Sequence, residues 1–339
     1  MNDFNYFKSS QVSETINQVA STPDAKYIGG GSNLIDLLKY NLTTAAELVD
    51  VNHLQQQDLV EELPDGSILI NAFGKNAETA YHPTIETRYP LLSKAILAGA
   101  SAQIRNMATN GGNLLQRTRC YYFYDASSPC NKRVPGSGCP AIKGYNRNMA
   151  ILGTSESCIA VFPSDMCIAL AALDAVVHVE GPNGKREIAF ADFHRLPGDT
   201  PHIDNTLTEA ELITGIKLPP KGFEKNYSYL KLRDRNSYAF AMVSVATGME
   251  LSDNKIQDIK IALGGIAHKP WRVRAAEEFL IGKEAIRENF LQAAEIIIDG
   301  AVGYEFNSFK IQLSKKAIVR NCMMALHPET QLPGAQPSA

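Results

Sequence analysis

The 339-residue chain has no excess of basic charge: 33 Lys and Arg face 36 Asp and Glu, a formal net charge of −3. That excludes the strongly basic face usual in nucleic-acid binding. Long apolar runs are missing too, because the most apolar stretch, 166–179, is broken by Asp174 and too short to span a bilayer. Residues 1–10 show no basic segment followed by an apolar one, so no secretory signal is expected. The expectation is a cytoplasmic chain, with the periplasm reached only by folded export beside a signal-bearing partner. No internal repeat is visible, and 45 % hydrophobic with 20 % charged residues excludes disorder, collagen and coiled coil. No glycine cluster is followed by the Gly-Lys-Ser/Thr of a Walker loop. No nucleophile–base pair or shared-loop pair of acids is present, and His178 and His194 stand alone. Substrate chemistry carried by this chain by itself is therefore not expected.

What is present is a chain long enough for two or three domains. Helical spacing over 12–20, a strand at 26–28, a second amphipathic segment over 33–40 and a strand at 48–51 make a small α/β unit. A strand at 67–73 follows the turn Pro64-Asp65-Gly66, with helical patterns at 76–81 and 91–102. Apolar, β-branched material runs from 168 to 180, and a strand is expected at 212–218 before the linker Pro219-Pro220-Lys221-Gly222. Strands are then expected at 227–232, 239–248 and 256–263, and helices at 284–298 and 309–326. The units are thus 1–62, 63–222 with an irregular insert at 117–158, 223–326, and a disordered tail at 327–339.

Two glycine-rich loops carry the first chemical signal. Gly29-Gly30-Gly31-Ser32-Asn33 sits between a strand and a helix, where free amides favour an anion such as a pyrophosphate. The dinucleotide fingerprint fails at its third glycine, which is Leu34, and a tight structural turn remains an equal reading. Thr109-Asn110-Gly111-Gly112-Asn113 is a second such loop, and two loops can clamp one diphosphate from opposite sides.

Four cysteines form the second signal. Cys120, Cys130, Cys139 and Cys158 are separated by nine, eight and eighteen residues within the irregular insert. In a cytoplasmic chain metal ligation is the usual alternative to disulfides, although the spacing is neither that of a zinc ribbon nor of a bacterial ferredoxin. Arg117, Arg119, Lys132 and Arg133 flank the first two and would offset thiolate charge, or form a solvated basic patch. Cys167 and Cys322 fall in periodic apolar stretches and read as buried core thiols.

Ile28 to Leu34, the 109–113 loop, Phe162-Pro163-Ser164-Asp165-Met166, Lys231-Leu232-Arg233-Asp234-Arg235, Tyr238-Ala239-Phe240-Ala241 and Ala262-Leu263-Gly264-Gly265-Ile266-Ala267 occur in that order. As an ordered set over nearly the whole chain they resemble the FAD-binding medium subunits of the molybdenum hydroxylases, the xanthine and carbon monoxide dehydrogenase family. The resemblance implies an α+β protein: a two-part FAD domain of the vanillyl-alcohol-oxidase (PCMH) type, then a C-terminal flavoprotein domain with a small antiparallel sheet and helices. By analogy Ile28, Gly29, Gly30, Gly31, Ser32, Asn33 and Leu34 hold the FAD pyrophosphate, and Thr109, Gly112 and Asn113 bind it from the other side. Asp165 would contact the ribityl or adenosine part, Lys231 would lie near the flavin, and Ser237 and Tyr238 would control access to its ring. A helix N-cap or turn acid and a solvated strand lysine are the alternatives for Asp165 and Lys231.

The insert is similar to that of the flavin subunits of periplasmic-type aldehyde oxidoreductases and, more distantly, of 4-hydroxybenzoyl-CoA reductases. That implies a [4Fe–4S] cluster on Cys120, Cys130, Cys139 and Cys158, ahead of zinc and of two disulfides. The function implied is electron transfer within an aldehyde oxidoreductase complex, a heterotrimer or a dimer of heterotrimers. A molybdenum-cofactor subunit would oxidise the substrate, a [2Fe–2S] small subunit would relay electrons, and FAD would pass them to an external acceptor. A reductase complex with reversed flow and a zinc-stabilised scaffold are the competing readings.

Overall fold

Parallel strands need crossovers, and the first unit supplies two. In this computed structural model, which describes residues 1–54 and 58–330, β1 (Asn5–Lys8), β2 (Ala25–Ile28) and β3 (Glu47–Asp50) form a parallel sheet in the order β1-β3-β2. The crossovers are the helices Val12–Ser21 and Leu34–Lys39. The first glycine loop leaves the carboxyl end of β2, the end at which open α/β sheets present ligand crevices. Strand β1 was not anticipated from the sequence.

The second sheet is antiparallel, in the order β4 (Val60–Glu62), β5 (Ile68–Asn71), β8 (Leu212–Leu218), β6 (Val176–Gly181), β7 (Gly184–Ala189). Because Val60–Glu62 pairs with Ile68–Ile70, the break between the first two units falls ahead of residue 60 rather than after 62. The apolar run over 168–180 splits: Asp165–Ala172 is helical, Asp174 turns the chain at φ 48°, and β6 follows. That helix is apolar on nearly every side because it is the joint of the molecule. It packs against the helix Pro90–Ala98, and Ile168 lies against Gly264 of the third sheet.

The third sheet is an antiparallel meander in the order β12 (Trp271–Arg272), β11 (Lys255–Gly264), β10 (Val243–Ser252), β9 (Asn226–Leu232). The helices Arg274–Leu280, Arg287–Ile298 and Phe309–Leu326 share a core with it, including Ile259, Ile261, Phe290 and Ile318. Asn321 pins the last helix down, donating to Ser228 O and Val245 O at 3.0 Å and to Thr247 Oγ1 at 2.8 Å. The strand expected at 239–248 begins only at Val243, because Tyr238 sits at φ 50° and holds 239–242 as a loop. Of the tail expected at 327–339, Pro328–Thr330 makes a 3-10 turn and 331–339 lie outside the described residues. No helix among the described residues is long and apolar enough to cross a membrane.

Candidate functional site

The two glycine loops meet. Gly29 lies against the Thr109 side chain, and a Cβ on Gly30 would overlap the Met107 carbonyl, so backbone passes backbone with no room for a side chain. Between the loops opens a cleft of about 710 Å³ lined from both sides by Gly29–Leu34 and by Thr109, Gly112 and Asn113. Ile28 is the exception among the first-loop residues: it turns away to pack with Leu38 and Leu48.

The second loop is the start of a short helix, Asn110–Leu114, with Thr109 as its cap: Gly112 N–H donates to Thr109 Oγ1 at 3.2 Å. A relay of amides fixes it from beneath. Asn110 Nδ2 donates to Thr79 Oγ1 (2.7 Å), Asn76 Nδ2 to Asn110 Oδ1 (3.0 Å), and Asn113 Nδ2 to Asn76 Oδ1 (2.6 Å). Ser164 hydroxyl then donates to Asn113 Oδ1 at 2.5 Å, which ties the loop to the next motif.

His194 supports the far end of this helix, Nε2 lying 2.8 Å from Leu114 O, inside a cage of Phe162, Phe190 and Phe193. Burial pushes its pKa down to about 4, so it is neutral in the fold. Below pH ~6.5 the unfolded chain takes up a proton that the fold refuses, so stability falls as pH drops from ~6.5 towards 4, by up to about 3 kcal/mol. Urea melts at pH 7 and pH 5 should show this loss, and His194→Phe should shrink the difference between the two pH values.

The cleft is cationic. Lys26, Arg105, Arg117, Arg119 and Arg235 line it against Asp36 and Asp165. Among the described residues, Arg119 Nε is buried without a hydrogen-bond partner. Arg117 and Arg119 were read as neighbours of the cysteines, yet they stand on this wall. Arg117 Nε donates to Asp204 Oδ2 at 2.8 Å, and Arg119 Nη1 donates to Asp36 Oδ2 at 2.7 Å.

Asp165 is neither a cap nor a turn acid. Ser164 caps the helix by accepting from Cys167 N–H at 3.2 Å, while Asp165 is buried at its first position. Its Oδ1 accepts from the Tyr229 hydroxyl (2.7 Å) and its Oδ2 from Lys231 Nζ (2.8 Å), an ion pair with 6 % and 5 % of the two side chains exposed. Lys231 also donates to Ala98 O at 3.0 Å. So Asp165 lines the cleft, whereas Lys231 stands behind it and locks the third sheet to the second unit. Of the access pair, Tyr238 lines the cleft with Phe240, and Ser237 does not.

The four cysteines of the insert line one small apolar cavity together with Lys132. Arg133 holds the irregular loop, donating from its guanidinium to the carbonyls of Tyr122, Phe123, Asp125 and Ser128. It is a structural clamp rather than part of a solvated patch. Asn131 closes the turn by accepting from Gly138 N–H at 2.8 Å and donating to Ser157 O at 2.9 Å. All six cysteines are free. The hydrogen bond between Cys139 and Cys158 pulls the Cys139 thiol down to about 6 and pushes Cys158 up; burial raises Cys120 to about 11. Among the described residues no group of three or more His, Cys, Asp or Glu is arranged to hold a metal ion. The four expected ligands nevertheless line one cavity. Cys167 and Cys322 are fully buried core thiols.

Residues 2–221 match the FAD-binding domain in molybdopterin dehydrogenase, and residues 227–301 match the CO dehydrogenase flavoprotein C-terminal domain. The chain is 45 % identical over 320 residues to the aldehyde oxidoreductase FAD-binding subunit PaoB of Escherichia coli K12, covering 94 % of this chain and 96 % of that protein. It is 25 % identical to the carbon monoxide dehydrogenase medium chain of Hydrogenophaga pseudoflava, over 87 % of this chain and 86 % of that one. Among solved structures, carbon monoxide dehydrogenase from the same organism superposes with a TM-score of 0.75 at 22 % identity, over 96 % of this chain and 98 % of that chain.

Proposed function

Because the chain belongs to the family of FAD-binding medium subunits of the molybdenum hydroxylases, we propose that it is the electron-transfer subunit of an aldehyde-oxidising complex. The observation that carries the reading is the cationic cleft between two glycine loops. Bound there, FAD supplies storage for two electrons and exchange of one at a time. The loops bind its diphosphate with backbone amides and the Asn33 amide. The Asp165–Lys231 pair locks the third sheet behind the cleft wall that carries Asp165. Tyr238 and Phe240 screen its open side.

The finer assignment is a [4Fe–4S] cluster on Cys120, Cys130, Cys139 and Cys158. Four free thiols lining one small apolar cavity support it. Electrons enter from the [2Fe–2S] clusters of a small partner subunit, fed by a molybdenum-cofactor subunit, and leave to an external acceptor. The test is to co-express this chain with both partners and add an aldehyde without oxygen. Bleaching of the flavin absorbance is expected; a flavin that stays oxidised beside a turning-over molybdenum subunit would overturn the role.

A further inference from the structure

The carboxylate of Asp204 lies in the loop between β7 and β8, outside every motif named above, yet it faces both sites. Its Oδ2 accepts from Arg117 Nε at 2.8 Å, and Arg117 lines the FAD cleft. Its Oδ1 accepts from Lys132 Nζ, and Lys132 lines the cysteine cavity with only 1 % of its side chain exposed. Lys132 also donates to Pro201 O at 2.8 Å, and His268 Nε2 stands 3.8 Å from Oδ1. Burial alone would raise the acid; the surrounding His268, Lys132 and Arg117 outweigh it and hold the carboxyl far below its usual range, so Asp204 is ionised.

The bond to Arg117 uses Nε. Among the described residues neither Nη of Arg117 has a hydrogen-bond partner; instead the guanidinium lies over the Phe123 ring, 4.9 Å from its centroid. The Arg117 backbone N–H meanwhile donates to Asn33 Oδ1 at 3.0 Å, which sets this residue beside the first glycine loop. A guanidinium gripped at Nε and against a ring keeps its Nη fork pre-set for a phosphate.

We propose that Asp204 is a positioning residue for FAD: anchored by Lys132, it aims the Arg117 fork at the dinucleotide diphosphate. The inference rests on the cleft being the FAD site. It makes Arg117 and Asp204 one unit, so their contributions to affinity should not add.

The test is a fluorescence-quenching titration of the flavin-stripped full chain with FAD. Asp204→Asn and Arg117→Gln should each weaken binding about tenfold, and the double variant should be no weaker than either single within about twofold. Asp204→Glu should recover part of the loss. Tenfold losses that multiply to a hundredfold would mean that Asp204 acts independently of Arg117 and would overturn the proposal. Unchanged affinity in Asp204→Asn would do the same. If Asp204→Asn fails to fold, Arg117→Gln and Asp204→Glu still decide: full affinity in Arg117→Gln rejects the fork. A wild-type chain that binds no FAD would instead remove the cleft assignment on which the proposal stands.

Discussion

Gly30→Ala weakens FAD binding by about 100-fold, roughly 2.8 kcal/mol, while Gly29→Ala costs far less. The two glycines are neighbours, and what their new methyl groups meet decides the difference. On Gly29 the methyl would come within 2.6 Å of Thr109 Oγ1, a side-chain atom that can turn aside at the cost of its bond to Gly112. On Gly30 it would overlap the Met107 carbonyl oxygen and lie 2.9 Å from Ala108 Cα, which are backbone and cannot rotate away. The loops must part by more than ~1 Å to restore a normal contact. That separation moves the two sets of amides off the diphosphate they share. Titration of both variants with FAD, beside melting curves of the stripped chains, checks the ranking. Equal losses in the two would contradict the close approach as the cause.

The largest stability effect is expected at Asp165. Removing one member of a buried ion pair leaves the other charged and unmatched, a cost of about 3–5 kcal/mol. Asp165→Asn would leave Lys231 with the Ala98 carbonyl as its remaining hydrogen-bond partner, and would weaken the acceptor of the Tyr229 hydroxyl. The melting temperature should fall by about 6–20 °C, given ~2–4 °C per kcal/mol. Asp165→Asn with Lys231→Met should regain a large part of that loss, since no unpaired charge then remains. A single variant that melts within about 2 °C of the parent would show that the pair does not join the units.

Sequence alone carried the glycine loops, because strand, glycine cluster and helix are adjacent and the turn chemistry is local. It carried β5, β8, β9, β10 and β11 as strand-like runs, whereas β4, β7 and β12 were not expected. The ordered motifs then identified the family, which the spacing of any one loop could not do. What stayed hidden is long-range. Arg117 and Arg119 stand beside Cys120 in the chain, and only the fold turns them onto the cleft, where their partners Asp204 and Asp36 lie 87 and 83 residues away. Lys231 was legible as a strand residue, but its partner Asp165 is 66 positions distant, so its burial was not. Residues 239–242 are apolar enough to read as strand; the positive φ of Tyr238, which leaves no mark in the pattern, ends that reading. The four cysteines have no spacing that dictates a shared cavity. Arg133 and Asn131 bring them together through bonds to loop carbonyls and amides.

Flavin, iron and acid-labile sulfide per chain, measured on protein purified without oxygen, decide whether this chain carries both FAD and a cluster. About one FAD, four iron and four sulfide per chain are expected. Flavin without iron or sulfide would keep the cleft and remove the cluster from the cysteine cavity. A colourless chain that takes up no FAD on reconstitution would contradict the account at its root.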